Sequence, residues 1–378
     1  MSRALHAIAF WLAFAGIPAV TWAGPRYTLI DLGGFDPAQK SAALGVDNAG
    51  RVVGWAFLQT GQNEYSQRAF LWENGTTYDL GALPGEQVSC AVRISDSGWV
   101  AGQSGYAAIH AAAWYTGISG QEAIYDLGTL GGTHSFSFGL NDAAQIVGQS
   151  EMPGNRCGHA FLWTLQDGMT DLGTLPISPN TTGTGINNLG QVVGYTGSGT
   201  DSRAFVWENG TIRYIDADAE QVSEATFAMD INDSGLVVGS MYVEEPDGVV
   251  LHACIWDLLA GARTDLGVLA GFGDTSLHAV NALGHAVGLA IRQTTENHAI
   301  LYESGSLIDL NSLIDPGSGW VLNEARDIND KGWIVGAGVS PSGQHHGFLL
   351  VPVPEPATLS LLTLSGLALL GRRRLASA

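Results

Sequence analysis

Short hydrophobic stretches separated by glycine, asparagine and aspartate run from Arg26 to Val351. Stretches bounded by such turn residues are typical of β-strands. Residues 42–81 show the pattern of one complete unit, in which Asn74-Gly75 has the form of a tight hairpin turn. The predicted elements are, in order, strand 43–47, turn 48–50, strand 51–57, loop 58–67, strand 68–72, the Asn74-Gly75 turn and strand 77–81. We therefore predict a four-stranded antiparallel sheet for this unit.

The third strand of this unit is hydrophobic on both of its faces. Ala69 and Leu71 lie on one face, and Phe70 and Trp72 lie on the other. A sheet with one solvated face alternates hydrophobic and polar residues, so this strand needs a neighbouring sheet on each side. Sheets stacked around an axis meet this need. A β-solenoid would also stack its strands, but its coils have shorter repeats, so we favour a β-propeller.

Three signatures recur along the chain in a fixed order. The first is Asp-Leu-Gly, complete at Asp31, Asp79, Asp126, Asp171 and Asp265 and weaker at Asp216 and Asp309. The second resembles Asn-x-x-Gly-x-Val-Val-Gly, with copies ending at Gly54, Gly102, Gly148, Gly194, Gly239, Gly288 and Gly336. The third resembles His-Ala-Phe-Leu-Trp, with copies beginning at Arg68, His110, His159, Arg203, His252, His298 and His346. The aspartates are 44 to 49 residues apart, a period typical of four-stranded propeller blades.

The frame of the repeat predicts how the ring closes. The last unit ends with a third strand at 347–351 and has no fourth strand after it. Residues 27–33 form a fourth-type strand with no unit before it. We therefore predict an all-β, seven-bladed propeller over residues 24–351, closed by pairing of 27–33 with 346–351.

The repeats resemble the HAF-repeat family of extracellular bacterial proteins. The resemblance is carried by His159-Ala160-Phe161-Leu162-Trp163 and by Asp-Leu-Gly-Thr-Leu at 126–130 and 171–175, and the repeat covers essentially all of residues 27–351. Two copies depart from the motif, at 110–114 and at Tyr302, which replaces tryptophan. The family implies export and repetition, and it implies no known reaction.

The N-terminal segment has the form of a secretory signal. Arg3 and His6 precede a hydrophobic run over 7–20, and Thr21-Trp22-Ala23 offers small residues where a signal peptidase cuts. We expect residues 1–23 to be removed after Ala23. A buried N-terminal helix is the weaker alternative, because the strand pattern begins directly afterwards.

The C-terminal segment 352–378 differs in composition from the rest of the chain. A proline-rich linker precedes an uncharged stretch at 357–370, which is short for the ~30 Å hydrocarbon core of a bilayer. An arginine cluster follows. This order resembles the PEP-CTERM sorting signal, which implies transient anchoring in the inner membrane of a Gram-negative bacterium, processing by an exosortase, and a cell-surface or extracellular location. An ordinary C-terminal anchor is the alternative. The residues that carry the resemblance are Pro354, Glu355, Pro356, Arg372, Arg373 and Arg374.

Charge and cysteine content narrow the classes of partner. The chain has 36 acidic and 16 basic residues, a formal net charge of −20. Such a surface repels nucleic acids, so we expect no nucleic-acid partner. The cysteines, at positions 90, 157 and 254, show no metal-binding spacing.

The repeated polar residues favour a structural role over catalysis. A hairpin at Asn74-Gly75 makes Arg68 and Asp79 diagonal neighbours on one face of the sheet. We interpret this pair, and the equivalent pair His159 and Asp171, as repeated structural contacts. No Gly-x-Ser-x-Gly motif occurs, and His134 has no evident catalytic partner in the sequence.

The turns Asn232-Asp233-Ser234-Gly235 and Asn329-Asp330-Lys331-Gly332 resemble calcium ligands at first sight. A calcium site needs about six converging oxygens, and each turn offers fewer. We interpret these residues as turn formers, and predict no metal and no cofactor. Calcium binding stays an alternative without support.

Function is expected in the loops that vary between repeats. Aromatic residues beside carboxylates suit sugar rings, and we select Tyr65, Phe272, Asp274 and Trp320 as candidate ligand-binding residues, with no catalytic residue selected. We predict a monomeric, non-catalytic binding or structural protein of an extracellular polysaccharide or biofilm matrix. The alternatives are an extracellular carbohydrate-active hydrolase or lyase, and a platform for protein–protein interaction.

Overall fold

The computed structural model describes residues 25–354 apart from 37–38, 63, 118–122, 217–223 and 293–296. The expected signal peptide lies outside the described residues, and so does all of the expected sorting tail except Pro352, Val353 and Pro354. Among the described residues, no helix has the length and hydrophobicity needed to cross a membrane.

The strands of the first three blades follow one another as antiparallel hairpins. The chain begins with β1 (Tyr27–Gly33). Blade 1 contains β2 (Ser41–Val46), β3 (Val52–Gly61), β4 (Glu64–Glu73) and β5 (Thr76–Gly81). Blade 2 contains β6 (Ser89–Ile94), β7 (Trp99–Ser104), β8 (His110–Tyr115) and β9 (Ala123–Asp126). Blade 3 contains β10 (Ser135–Leu140), β11 (Ile146–Glu151), β12 (Gly158–Thr164) and β13 (Gly168–Asp171).

The next three blades repeat this order, with short 3₁₀ helices at Gly199–Asp201, Leu310–Leu313 and Pro316–Ser318. Blade 4 contains β14 (Thr181–Ile186), β15 (Val192–Thr196), β16 (Arg203–Glu208) and β17 (Thr211–Tyr214). Blade 5 contains β18 (Thr226–Ile231), β19 (Leu236–Glu245), β20 (Gly248–Asp257) and β21 (Ala262–Gly267). Blade 6 contains β22 (Asp274–Val280), β23 (Ala286–Ile291), β24 (His298–Glu303) and β25 (Ser306–Asp309).

The seventh blade joins the two ends of the propeller. It contains β26 (Val321–Ile328), β27 (Ile334–Val339) and β28 (His345–Pro352), with β1 as its fourth strand. The antiparallel register runs from Tyr27 opposite Pro352 to Gly33 opposite Gly347. This confirms the predicted seven-bladed propeller of four-stranded blades and its predicted closure.

One predicted loop of blade 1 is wrong. Residues 58–67 were expected to form a loop, whereas β3 and β4 remain paired from Val52–Trp72 out to Gly61–Glu64. The stretch contains Leu58 and Tyr65, which suit a strand, and its turn is confined to the residues near position 62. The hairpin therefore projects beyond the body of the blade.

The core lies between the blades, where the third strands present their two hydrophobic faces. The phenylalanine of the repeated motif is fully buried in four blades, as Phe70, Phe161, Phe205 and Phe348. The glycine that ends each Val-Val-Gly segment is required by close packing. A Cβ at Gly54 would overlap the carbonyl oxygen of Ala42 on the first strand, so only glycine fits there.

The two ends of the ring differ in their connections. The short turns between first and second strands, and between third and fourth strands, lie at one end, which we call the turn face. The loops between second and third strands, and between blades, lie at the other end, the loop face. The chain ends meet at the turn face, because the N–H of Val353 donates to the carbonyl oxygen of Arg26 (2.8 Å).

Candidate functional site

A ring of asparagines joins the blades near the turn face. Each side-chain Nδ2 donates to a backbone carbonyl oxygen of the next blade, at 2.8 to 3.2 Å. The Oδ1 atoms accept N–H groups two and four residues ahead; that of Asn232 accepts from Ser234 and Leu236. The interpretation of these residues as turn formers therefore agrees with the hydrogen bonds. The ring consists of Asn141, Asn187, Asn232, Asn281 and Asn329.

The next residue of each turn forms a second ring, which we call the collar. Asn48 Nδ2 donates to both Asp96 (2.8 Å) and Asp330 (3.1 Å). Asn188 Nδ2 likewise donates to Asp142 (3.0 Å) and Asp233 (3.3 Å). The remaining oxygen of each carboxylate accepts a backbone N–H from the neighbouring blade. The collar consists of Asn48, Asp96, Asp142, Asn188, Asp233, Ala282 and Asp330.

The collar is therefore satisfied by its own hydrogen bonds. Its oxygens are turned toward neighbouring N–H groups and do not converge on one point. Over the described ranges, no group of three or more His, Cys, Asp or Glu side chains is arranged to hold a metal ion. The collar surrounds a cavity of about 200 Å³ at the turn face.

The repeated arginine or histidine lies on the third strand of its blade, and the aspartate that it contacts lies on the fourth strand. Arg68 Nη2 is 3.1 Å from an Asp79 oxygen, and His159 Nδ1 is 2.9 Å from an Asp171 oxygen. The equivalent His–Asp distances elsewhere are 2.7 to 2.9 Å, for His110–Asp126, His252–Asp265, His298–Asp309 and His346–Asp31.

The same aspartates form the turns into the next blade. Asp79 Oδ1 accepts the N–H of Gly81 (2.9 Å), and Asp171 Oδ1 accepts the N–H of Gly173 (2.8 Å). Gly81 has a φ of 81° and Gly173 a φ of 85°, a conformation that favours glycine. The Asp-Leu-Gly motif is thus a structural turn held by the arginine or histidine that faces it.

Blade 4 does not follow this pattern, and the assignment of Asp216 to it is wrong. Tyr214 stands opposite Phe205, the position that aspartate takes in the other blades. Asp216 lies two residues further on and accepts from Trp256 Nε1 of blade 5 (3.0 Å). Blade 4 pairs its third and fourth strands as blade 1 does, but it has a tyrosine where blade 1 has Asp79.

The four residues selected for ligand binding come from three different parts of the chain, and only Phe272 and Asp274 are neighbours in sequence. Tyr65 is on the long hairpin of blade 1 and is 41% exposed. The Phe272 ring packs below the guanidinium of Arg292 (4.5 Å), and Asp274 accepts the N–H of Leu251 (2.8 Å). Trp320 packs on the core of blade 7. None of the four lines the cavity described next.

A larger cavity lies on the axis between the collar and the loop face. We call this cavity, of about 360 Å³, the chamber. The first strand of every blade has a β-bulge, which omits one residue from the pairing with the second strand. β26 of blade 7 omits a second residue, Asn323, which does not line the chamber. The other seven omitted residues line the chamber, which fits the role of bulges in redirecting side chains. They are Leu44, Val92, Phe138, Thr184, Met229, His278 and Arg326.

The sequence carried one signal for these residues that was missed. Each stands three positions before the first residue of the turn, as Leu44 does before Asp47 and Arg326 before Asn329. The position directly before the turn is Val, Ile or Leu in every blade, whereas the omitted position holds a different residue in all seven. A position that varies from blade to blade inside a repeated strand therefore marks the chamber wall.

Aromatic and polar groups complete the wall. Trp55, Tyr195 and Gln103 come from second strands, and Cys90, Arg93 and Thr182 come from first strands. Gln103 Oε1 is buried and has no hydrogen-bond partner among the described residues. Burial raises the pKa of Cys90 to about 12, so its thiol stays protonated.

Burial also shifts the pKa values of the ionisable groups around the chamber. Burial, together with the positive charges of Arg326 and Arg93, lowers the pKa of His278 to about 3, so its imidazole is neutral. His278 Nδ1 lies 3.5 Å from Glu324 Oε1. Burial raises the pKa of Glu324, which Arg326 opposes. Burial raises the pKa of Asp230 to about 6.

Known structures share the fold at low sequence identity. Oligogalacturonate lyase from Vibrio parahaemolyticus is similar to this chain with a TM-score of 0.58 and 12% identity, over 87% of this chain and 94% of that protein. TolB from Acinetobacter baumannii is similar with a TM-score of 0.43 and 11% identity, over 81% of this chain and 64% of that one. No protein-family model and no curated protein matches the sequence. The similarity to the lyase shows the fold alone.

Proposed function

We propose that this protein is an exported, non-catalytic binding protein of an extracellular polysaccharide matrix, and that it binds saccharide in the chamber. The observation that carries the proposal is the composition of the chamber wall. Trp55, Phe138 and Tyr195 offer aromatic surface to a sugar ring, and Gln103 Oε1 lacks the donor that a sugar hydroxyl would supply. Ligand sites of this kind combine apolar walls with a few placed polar groups.

The repeated polar residues support a binding role rather than catalysis. The histidines of the third strands hold the turn aspartates, and the collar carboxylates accept hydrogen bonds from neighbouring blades. In the chamber, the neutral His278 and the protonated Cys90 are poor candidates for general acid and nucleophile at neutral pH.

A glycan array tests this proposal directly. Purified full-length protein would be applied to polysaccharides and oligosaccharides, with calcium and with chelator, and bound sugars would be analysed by mass spectrometry. Binding without cleavage supports the proposal, and shortened products would replace it with a hydrolase or lyase. Failure to bind any glycan would overturn it and favour a protein partner.

Two tyrosine variants connect binding to the chamber. Tyr195 lines the chamber, whereas Tyr65 lies on the long hairpin outside it. Tyr195→Ala is expected to weaken glycan binding by at least fivefold, because a stacking surface worth about 1 kcal/mol is lost. Tyr65→Ala is the matched control. An equal loss in both variants would contradict binding in the chamber.

Export and sorting belong to the same proposal and rest on the two terminal segments. The signal sequence ending at Ala23 and the arginine cluster 372–374 support secretion with exosortase processing, as does the resemblance of the body to HAF repeats. Replacing the three arginines with alanine is expected to abolish release from cells of a Gram-negative host that has an exosortase. Equal release of both forms, measured by immunoblot of the culture supernatant, would contradict the sorting proposal.

A further inference from the structure

The charge of the chamber wall is opposite to that of the whole chain. The protein has 36 acidic and 16 basic residues, yet the residues that line the chamber include two arginines, Arg93 and Arg326, and no carboxylate. Low-dielectric walls of one sign concentrate ions of the other sign. The chamber therefore differs in electrostatics from the surface around it.

The nearest carboxylates are engaged outside the wall. Glu324 Oε1 accepts from Arg326 Nε (2.9 Å). Asp230 accepts the N–H of Val280, and Asp327 accepts that of Val46, each at 3.0 Å. These bonds hold the carboxylates at the blade junctions, where they balance the arginines without closing the chamber to an anion.

Both arginines keep donors that the described residues do not use. Arg326 donates through Nε to Glu324, its two Nη atoms have no hydrogen-bond partner among the described residues, and its side chain is 44% exposed. Arg93 uses one Nη atom on the carbonyl oxygen of Leu44 (3.1 Å). A guanidinium group matches a carboxylate with two parallel hydrogen bonds.

The chamber also limits the size of its occupant. Its volume is about 360 Å³. In liquid water, on the order of ten molecules occupy that volume, at ~30 Å³ each. This is room for one sugar ring and not for an extended oligosaccharide. Gln103 Oε1, which has no donor partner, selects a ligand with a hydroxyl group over a purely apolar acid.

We propose that the chamber binds one uronate, a sugar ring with a carboxylate, whose carboxylate is held by Arg326 and Arg93 and whose hydroxyl donates to Gln103. The ring lies against the aromatic wall formed by Trp55, Phe138 and Tyr195. The inference rests on the proposed saccharide binding and names its chemical class. The uronate is either a free sugar or the terminal residue of an acidic glycan.

Calorimetric titration of the purified full-length protein tests this proposal. The ligands are glucuronate and galacturonate, their neutral counterparts glucose and galactose, cyclohexanecarboxylate, and a uronate-terminated oligosaccharide. The uronates are expected to bind at least tenfold more tightly than the neutral sugars, because the neutral sugars lack the carboxylate that the arginines hold. They are expected to bind at least tenfold more tightly than cyclohexanecarboxylate, because that acid lacks the hydroxyl that Gln103 Oε1 accepts. Tight binding of free uronates assigns a free sugar, and tight binding of the oligosaccharide alone assigns a polymer end.

Single-residue variants test the roles of Arg326 and Gln103 in binding separately from any effect on folding. Arg326→Gln is expected to weaken uronate binding at least tenfold, and Gln103→Leu to remove the preference for uronate over cyclohexanecarboxylate. Arg213→Gln is the matched control, because Arg213 is exposed on blade 4 outside the chamber. Thermal melts would show that each variant is folded.

Two results would overturn the inference. One is equal affinity for glucose and glucuronate, and the other is unchanged uronate affinity in Arg326→Gln. If the protein still binds glycans in the array, the proposed function survives either result. If the unaltered protein binds no glycan at all, both proposals fall together.

Discussion

The collar and the chamber lie on the same axis and are built by the same seven strand-and-turn units, yet they differ in how their polar atoms are used. In the collar, both oxygens of Asp142 accept hydrogen bonds from neighbouring blades. In the chamber, Gln103 Oε1 has no partner among the described residues. The collar is made of similar residues in six of its seven positions, whereas the omitted residues of the chamber differ in every blade. Repetition therefore marks the scaffold, and variation marks the surface available to a ligand.

The largest expected loss of stability distinguishes a phenylalanine of the scaffold from a phenylalanine of the chamber. Phe348 is fully buried in blade 7, and Phe348→Ala is expected to lower the free energy of unfolding by about 3–5 kcal/mol. Phe138 faces the chamber, so Phe138→Ala should lower it by less than about 2 kcal/mol, while weakening sugar binding. Urea denaturation followed by tryptophan fluorescence measures both, and equal losses would contradict the distinction.

A smaller loss is expected when one asparagine of the inter-blade ring is removed. Asn187 accepts from the N–H groups of Leu189 and Gln191 and donates to the carbonyl oxygen of Asn232. Asn187→Ala is expected to cost about 2–3 kcal/mol of unfolding free energy, because these buried groups lose their partner. Gln166→Ala, at an exposed hairpin position, should change it by less than about 0.5 kcal/mol. A loss below about 1 kcal/mol for Asn187→Ala would argue against the ring as a scaffold.

The buried carboxylate between these regions makes stability depend on pH. Burial raises the pKa of Asp230 to about 6 from its usual value of 3.8, so the folded state prefers the protonated acid. The loss of stability caused by burying the Asp230 carboxylate is absent below about pH 4. It develops as the pH rises through 6, where the folded protein must ionise Asp230. Asp230→Asn, which keeps an acceptor for Val280, is expected to stabilise the protein by about 1 kcal/mol at pH 8 and by less at pH 4. Denaturant titrations at both pH values measure this, and an equal change at the two values would contradict it.

The smallest effect is expected for the pairs on the outer strands. Asp171 is 36% exposed and faces His159 at 2.9 Å. Asp171→Asn retains an acceptor for the N–H of Gly173, so the turn is preserved and only the partly exposed contact between His159 and the carboxylate is altered. The expected cost is below about 1 kcal/mol, measured by the same denaturation assay. A cost above about 2 kcal/mol would mean that the pair carries more of the scaffold than the collar comparison implies.

The repeat made the fold predictable in detail. Apolar residues on both faces of the third strand required stacked sheets, and the unpaired strands 27–33 and 346–351 implied the closure that the structure has. Where the prediction was wrong, backbone pairing overrode local composition. Residues 58–67 extend a hairpin in place of a loop, and the strand pairing gives Tyr214 the place assigned to Asp216.

The candidate site was less predictable, because it depends on the bulges. The search for function went to the residues that vary between repeats, such as Tyr65 and Trp320, neither of which lines the chamber. The chamber residues sit inside strands of the repeat, and the only sequence sign of the bulge is a position that varies from blade to blade. His278 and Arg326 are 48 residues apart, and only the ring brings them to the same cavity.

The closure at the seventh blade also determines how the molecule resists force. The chain leaves the propeller from β28, which is an interior strand paired with β27 on one side and with β1 on the other. A pull on the residues after Pro354 acts along this strand and loads both hydrogen-bonded ladders in shear, so they must break together. A propeller whose last strand lay at the edge of its blade would lose one ladder alone.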